Sequence, residues 1–154
     1  MGREIERKFL VRDESWRQGA QGVHCRQGYL AVGPPVAVRV RIADGRAILN
    51  MKKKIADIAR DEFEYAIPVE EAEEILARLC DGHVIEKMRY RIVFDGMTWE
   101  VDEFGDVNQG LVVAEIELDD EDQAFEKPPW VGEEVSYDAR YLNLSLSRHP
   151  YTEW

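Results

Sequence analysis

The side chains with chemistry to offer come in alternating rows of like charge. Near the N-terminus Glu4, Glu6 and Lys8 stand two residues apart, while Ile5, Phe9 and Val11 occupy the other phase with Arg7 as the exception. Arg39 and Arg41 alternate with Val38, Val40 and Ile42, and Lys52 and Lys54 share a phase with Asn50 against Leu49 and Met51. Arg60, Glu62 and Glu64 oppose Phe63, Tyr65 and Ile67; Lys87, Arg89 and Arg91 oppose Met88, Tyr90 and Ile92. Glu100 and Asp102 oppose Trp99 and Val101, and Glu115 and Glu117 oppose Ala114, Ile116 and Leu118. Side chains at i, i+2 and i+4 share one face of a strand. An antiparallel sheet with one face on a core and one in water accounts for such alternation without any ligand. Against that reading, a wet face mixes in Ser, Thr and Gln, whereas these positions are nearly all ionisable and arrive as same-sign pairs or triples. Like charges so close cost stability when partly buried, and are worth keeping if cations bind the acidic pairs and an anion binds the basic ones.

Eight strands must carry these rows, over residues 3–11, 27–32, 36–43, 46–54, 60–67, 84–94, 97–104 and 112–119. Asp44-Gly45 and Asp95-Gly96 sit between β-rich runs and predict tight hairpins, and Gly33-Pro34-Pro35 breaks the chain between two further strands. A helix follows Pro68, with Val69, Ala72, Ile75, Leu76 and Leu79 at helical spacing and Glu70, Glu71, Glu73 and Glu74 on its wet side. Short helices are expected around 13–17, 121–125 and 138–146, the last with Asp138 as N-cap. The acidic run from Glu115 to Glu126 reads, past the last strand, as the start of a solvated helix. If the strands close on themselves, the charged faces line the lumen and the apolar faces lie outside under the helices, the reverse of the usual small barrel. The fold class is therefore α+β: an eight-stranded antiparallel β-barrel with a charged lumen and helices packed outside. No repeat or low-complexity tract divides it, so residues 1–154 form a single domain.

The chain has 154 residues, 20 Lys plus Arg against 31 Asp plus Glu, and a formal charge of −11. Such acidity argues against a general nucleic-acid or membrane-surface binder, and an anionic ligand needs locally concentrated bases. Cys25 and Cys80 are too far apart for a Cys-x-x-Cys site, no run of apolar residues is long enough to span a membrane, and the charged N-terminus does not read as a signal peptide. A cytoplasmic protein is expected. His24, His83 and His149 lack metal spacing, Cys25 lacks the partner set of a Cys-His hydrolase, and there is no Walker phosphate loop. Trp16, Trp99, Trp130 and Trp154 do not form a stacking platform for single strands.

Glu4-Ile5-Glu6-Arg7-Lys8 resembles the E-x-E-x-K signature of the CYTH, or triphosphate tunnel metalloenzyme, superfamily. Gln27-Gly28-Tyr29-Leu30, Arg39-Val40-Arg41, the Lys52 region, Arg60 to Glu64, Glu86 to Tyr90, Trp99 to Asp102, Ala114 to Leu118 and Asp138 to Asn143 fall in the family's order, so the resemblance covers nearly the whole chain. By length and opening the chain is most similar to the small bacterial members that act on inorganic triphosphate. Relatives also include class IV adenylate cyclases, thiamine triphosphatases and RNA triphosphatases, so fold alone leaves the substrate open.

The resemblance implies an eight-stranded triphosphate tunnel with a divalent metal, Mg2+ or Mn2+, both of which prefer carboxylate oxygens. By similarity Glu4, Glu6 and Glu117 hold a first metal, and Glu115 and Asp102 help hold a second metal or its water. Glu62, Glu64 and Glu100 either join them or pair with neighbouring bases. Lys8, Arg39, Arg41, Lys52, Lys54, Lys87, Arg89 and Arg91 hold phosphate oxygens, some of them at the surface. The expected reaction is metal-assisted hydrolysis of triphosphate to pyrophosphate and phosphate, with a metal-held water near Glu115 as nucleophile. Tyr29, activated by Lys8, is a second candidate base or orienter, against a plain packing role. The alternatives are cyclase-like or thiamine or nucleoside triphosphatase chemistry on the same scaffold, or a noncatalytic polyphosphate-binding module. A homodimer is common among relatives. The segment from Glu126 to Gly132 is expected to connect to a final helix that closes one tunnel mouth.

Overall fold

A computed structural model describes residues 2–33 and 36–154 of the chain. The Gly33-Pro34-Pro35 break lies in part outside the described residues. Alternating polar and apolar residues give strands β1 (Gly2–Val11), β2 (Gly22–Gly33), β3 (Val36–Ala43), β4 (Arg46–Lys54), β5 (Ala59–Ile67), β6 (Asp81–Phe94), β7 (Met97–Phe104) and β8 (Val112–Leu118). They pair antiparallel in the order β5-β4-β3-β2-β6-β7-β8-β1, and β1 pairs with β5 to close an eight-stranded barrel. Both expected hairpins form two-residue turns with positive φ at each position, at Asp44-Gly45 and Asp95-Gly96. β2 starts at Gly22 rather than residue 27, because β6 pairs with His24 to Arg26, a stretch too mixed to alternate clearly.

One more strand, β9 (Val131–Glu134), was not expected. β1 gives one edge to β8; along the other, its N-terminal part pairs with β5 and its later part with β9. Four mixed residues carry no period, and only the free stretch of β1 edge makes them a strand. The bidentate ion pair of Arg7 with Glu134, at 2.8 and 2.6 Å, explains the one charged residue on the outward phase of β1.

The core lies outside the barrel wall. Phe9, Trp16, Trp99, Ile116 and Trp130 are buried on one side. On the other, helix α1 (Val69–Arg78) seats Ala72 and Leu76 against Val40 and Ala47. The helix expected over 121–125 is absent; the segment makes a turn at 121–122 and then runs without regular structure to residue 128. Polar side chains compete with helical bonding there: Asp122 N donates to Asp120 Oδ1 at 2.8 Å, and Asp119 N donates to Gln123 Oε1 at 2.6 Å. Phe125 then packs on Phe9 and Trp99. The helix expected over 138–146 divides: Ala139–Tyr141 forms a 3-10 turn capped by Asp138, extended Leu142 follows, and α2 (Asn143–Arg148) completes the segment. No described helix is long and apolar enough to cross a membrane.

Candidate active site

The inward rows meet in a lumen cavity of about 390 Å3. Strand register builds its acidic wall: Glu6 stands opposite Glu117 across β1 and β8, and Glu100 stands opposite Glu115 across β7 and β8. β3 and β6 build the basic wall with Arg39, Arg41, Lys87 and Arg89. Lys8 and Lys52 tie the acids together: Lys8 Nζ lies 2.9 Å from Glu115 and 3.5 Å from Glu6, and Lys52 Nζ lies 2.9 Å from Glu4 and 3.4 Å from Glu62.

Each wall is short of counter-charge in its own way. Burial, then Arg39 and Arg89, pull the Arg41 pKa down, the mark of a cation crowded by cations. Arg39 is only 7% exposed and its buried Nε has no hydrogen-bond partner. An unpaired buried donor is expensive, and an anion arriving there relieves it. On the other wall Glu117 has no Lys or Arg within ion-pair distance among the described residues. Glu117 is open to water on its outer side, yet partial desolvation, then Glu4 and Glu6, raise its pKa, the response of a carboxylate among carboxylates. Glu6 and Glu115 behave oppositely. Burial pushes both up, but Lys8 with Lys52 and Arg60 around Glu6, and Lys8 with Arg89 and Lys87 around Glu115, together outweigh it and leave both pKa values lowered.

Asp102 does not stand on the cavity wall. It is fully buried behind the wall, taking 2.7 and 2.8 Å bonds from Arg89 and a 2.8 Å bond from Lys87. Burial opposes its charge, but Lys87 and Arg89 prevail and hold its pKa down to about 2. Its position departs from the expected role in holding a second metal, because both oxygens already serve these cations. Lys87 experiences the same burial, with Arg89 and Arg41 adding to it, and its pKa falls to about 7 despite Asp102.

The other expected residues divide. Lys54 and Arg91 reach the rim, with side chains 59% and 74% exposed. Tyr29 lines the cavity and stands opposite Arg39 in the β2–β3 register. Its expected partner Lys8 makes its polar contacts with Glu115 and Glu6 instead. Arg60, Glu62, Glu64 and Glu100 also line the cavity.

Charge patterning passes over the neutral amides. Asn50, 1% exposed, donates to Glu62 at 2.9 Å and Glu64 at 3.0 Å, holding two like charges side by side. Gln27, fully buried, accepts from Arg41 and donates to Asn143. Asn143 lies with Leu142 and Leu144 on the cavity lining, so the C-terminal segment is part of the wall. The only sequence signal for Gln27 and Asn143 is their place within the quoted motifs.

The donor set suits a hard divalent cation: Glu4, Glu6, Glu115 and Glu117 offer carboxylate oxygens from two adjacent strands, one of them without a counter-charge. Among the described residues no three such groups form a ready-made metal cage, so a cation would draw them together.

Comparison with known proteins agrees with this architecture. The CYTH domain model matches residues 2–151. The inorganic triphosphatase of Acetivibrio thermocellus is 51% identical over 151 residues, covering 98% of this chain and 97% of that protein. The inorganic triphosphatase of Nitrosomonas europaea is 38% identical over 149 residues, covering 94% and 96%. The crystal structure of the inorganic triphosphatase NE1496 superposes with a TM-score of 0.70 at 35% identity, covering 96% of this chain and 95% of that one.

Proposed function

The chain belongs to the CYTH family, and from that premise we propose that it is a divalent-metal-dependent inorganic triphosphatase, releasing pyrophosphate and phosphate inside the barrel. The observation that carries this reading is the pair of complementary deficits across one cavity: the buried, unpartnered Arg39 Nε on the basic wall and the uncompensated Glu117 on the acidic wall. A polyanion with its divalent cation answers both.

Arg39, Arg41, Lys52, Lys87 and Arg89 hold phosphate oxygens, arginine through paired donors and lysine as a point charge; Lys54 and Arg91 draw the substrate in at the rim. Glu4, Glu6 and Glu117, assisted by Glu115, hold Mg2+ or Mn2+. When bound, that ion neutralises phosphate charge and makes water a better nucleophile at neutral pH. Glu115 accepts a hydrogen bond from the attacking water and orients it. Its lowered pKa makes it a weak base, which suffices because phosphoryl transfer through a loose transition state depends mainly on positioning and charge neutralisation. Lys8 fixes the Glu115 and Glu6 carboxylates. Asp102 is assigned to clamping Lys87 and Arg89 rather than to a metal.

The test is product analysis on triphosphate, ATP and thiamine triphosphate with Mg2+, with Mn2+ and with chelator. Phosphate and pyrophosphate from triphosphate, lost with chelator, are expected. Binding without hydrolysis would leave a polyphosphate-binding module, and a cyclic product from ATP would replace this reading with cyclase chemistry.

A further inference from the structure

Four residues, Arg41, Gln27, Asn143 and Lys87, link the basic wall to the C-terminal segment, and their chemistry fixes which way each amide points. Arg41 Nε can only donate, and it lies 2.8 Å from Gln27 Oε1, so that Gln27 atom is the carbonyl oxygen. Gln27 Nε2 must then be the donor to Asn143, at 2.9 Å, so the Asn143 atom it meets is Oδ1. Lys87 Nζ, a donor only in its ammonium form, reaches the same Oδ1 at 3.0 Å. The Arg41 guanidinium alone therefore sets the orientation of both amides, and the ammonium form of Lys87 agrees with it. The consequence falls on the far side of the Asn143 amide. Its Nδ2 carries two N–H donors that no group among the described residues accepts, and Asn143 lies on the cavity lining beside Lys87 and Arg41.

The segment is held firmly enough for that placement to matter. Leu146 is fully buried with Tyr141 against Ile85 and Val113. Gly82, at φ +75, lets β6 approach so closely that an added Cβ would lie 2.5 Å from the Ser147 carbonyl oxygen.

We infer that Asn143 is a substrate-contacting residue: Nδ2 donates to a phosphate oxygen of the bound triphosphate, while Oδ1 positions Lys87 and, through Gln27, Arg41 for the same anion. The inference rests on the triphosphatase reading for the identity of the anion. A neutral donor suits this place, where Lys87, Arg41 and Arg89 already crowd one another and another cation would add repulsion.

The experiment measures triphosphate binding by calorimetry in chelator, to the wild type, Asn143→Ala and Asn143→Asp, with thermal melts to verify folding. Alongside, NMR follows the Asn143 side-chain amide, assigned by its loss in the Asp variant. A hydrogen bond to a charged group predicts about tenfold weaker binding for the Ala variant. Asp keeps an acceptor for Lys87 and Gln27 but turns an anion toward phosphate, so its binding should be at least as weak. The Asn143 amide protons should shift downfield on adding triphosphate. A purely structural asparagine predicts that Asp restores binding and that the amide resonance stays in place; either result overturns the inference while leaving the triphosphatase reading intact. Absence of triphosphate binding by the wild type overturns this inference, and phosphate release measured separately with Mg2+ decides the function.

Discussion

At the scale of single residues, the lumen is an ion network in which each charge is set by its neighbours rather than by its own type. Asp102 is the extreme case: sealed from water and holding both Lys87 and Arg89. Asp102→Asn should destabilise the fold by about 3–5 kcal/mol, because the two cations lose their counter-charge; urea denaturation measures this, and triphosphate turnover should fall with it. The acid limb of stability has a defined sign. The folded pKa of Asp102 is depressed to about 2 from 3.8, so its contribution is complete above about pH 4 and disappears as pH falls toward 2. Glu6 and Glu115 shift in the same direction. Denaturation followed from pH 6 to pH 2 should therefore show stability falling below about pH 4, more shallowly in Asp102→Asn than in the wild type. For turnover, Glu115→Gln should lose at least about 100-fold, the ordinary scale for a group that handles the nucleophile. Tyr29→Phe should remain within a few-fold of wild type, because Lys8 is engaged elsewhere; a collapse of its pH-rate profile would restore the tyrosine base.

At the scale of elements, period-two alternation was enough to read the inward face of seven barrel strands and to find β2 from residue 27 onward, since one repeated face of a sheet is a local property. Three elements escaped that logic for one reason. β9 exists because β1 has a free edge, residues 123–128 run without a helix where Phe125 finds Phe9 and Trp99, and the C-terminal helix divides where Leu142 turns extended. Each depends on a partner far away in sequence. The contact of Gly82 with Ser147 tests the last of these. Gly82→Ala, strained at φ +75 and blocked by the Ser147 carbonyl, should cost about 1–3 kcal/mol in thermal or urea unfolding. It should also weaken triphosphate binding, by displacing Asn143 from the wall.

At the scale of the whole molecule, the barrel is built inside out. Aromatic packing around Trp99 and Trp130 lies outside the wall, and the lumen keeps its charges near balance, so most of the overall −11 belongs to the outer surface. That distribution accommodates a small polyanion within and repels long ones without. RNA added to a triphosphate hydrolysis assay should therefore inhibit little, whereas pyrophosphate should compete.

The sequence by itself determined the eight barrel strands to within a few residues, the charged faces of seven of them and the family resemblance, because each is written in spacing along the chain. Tertiary structure decided which of those charges reach the cavity. Asp102 and Glu100 share one face of one strand, yet one is sealed behind the wall and the other lines it. Gln27 and Asn143 carry no charge to mark them, and only the closing of the barrel brings them together. Ion pairing and burial are properties of pairs in space, and a pair separated by more than a hundred residues has no period to announce it.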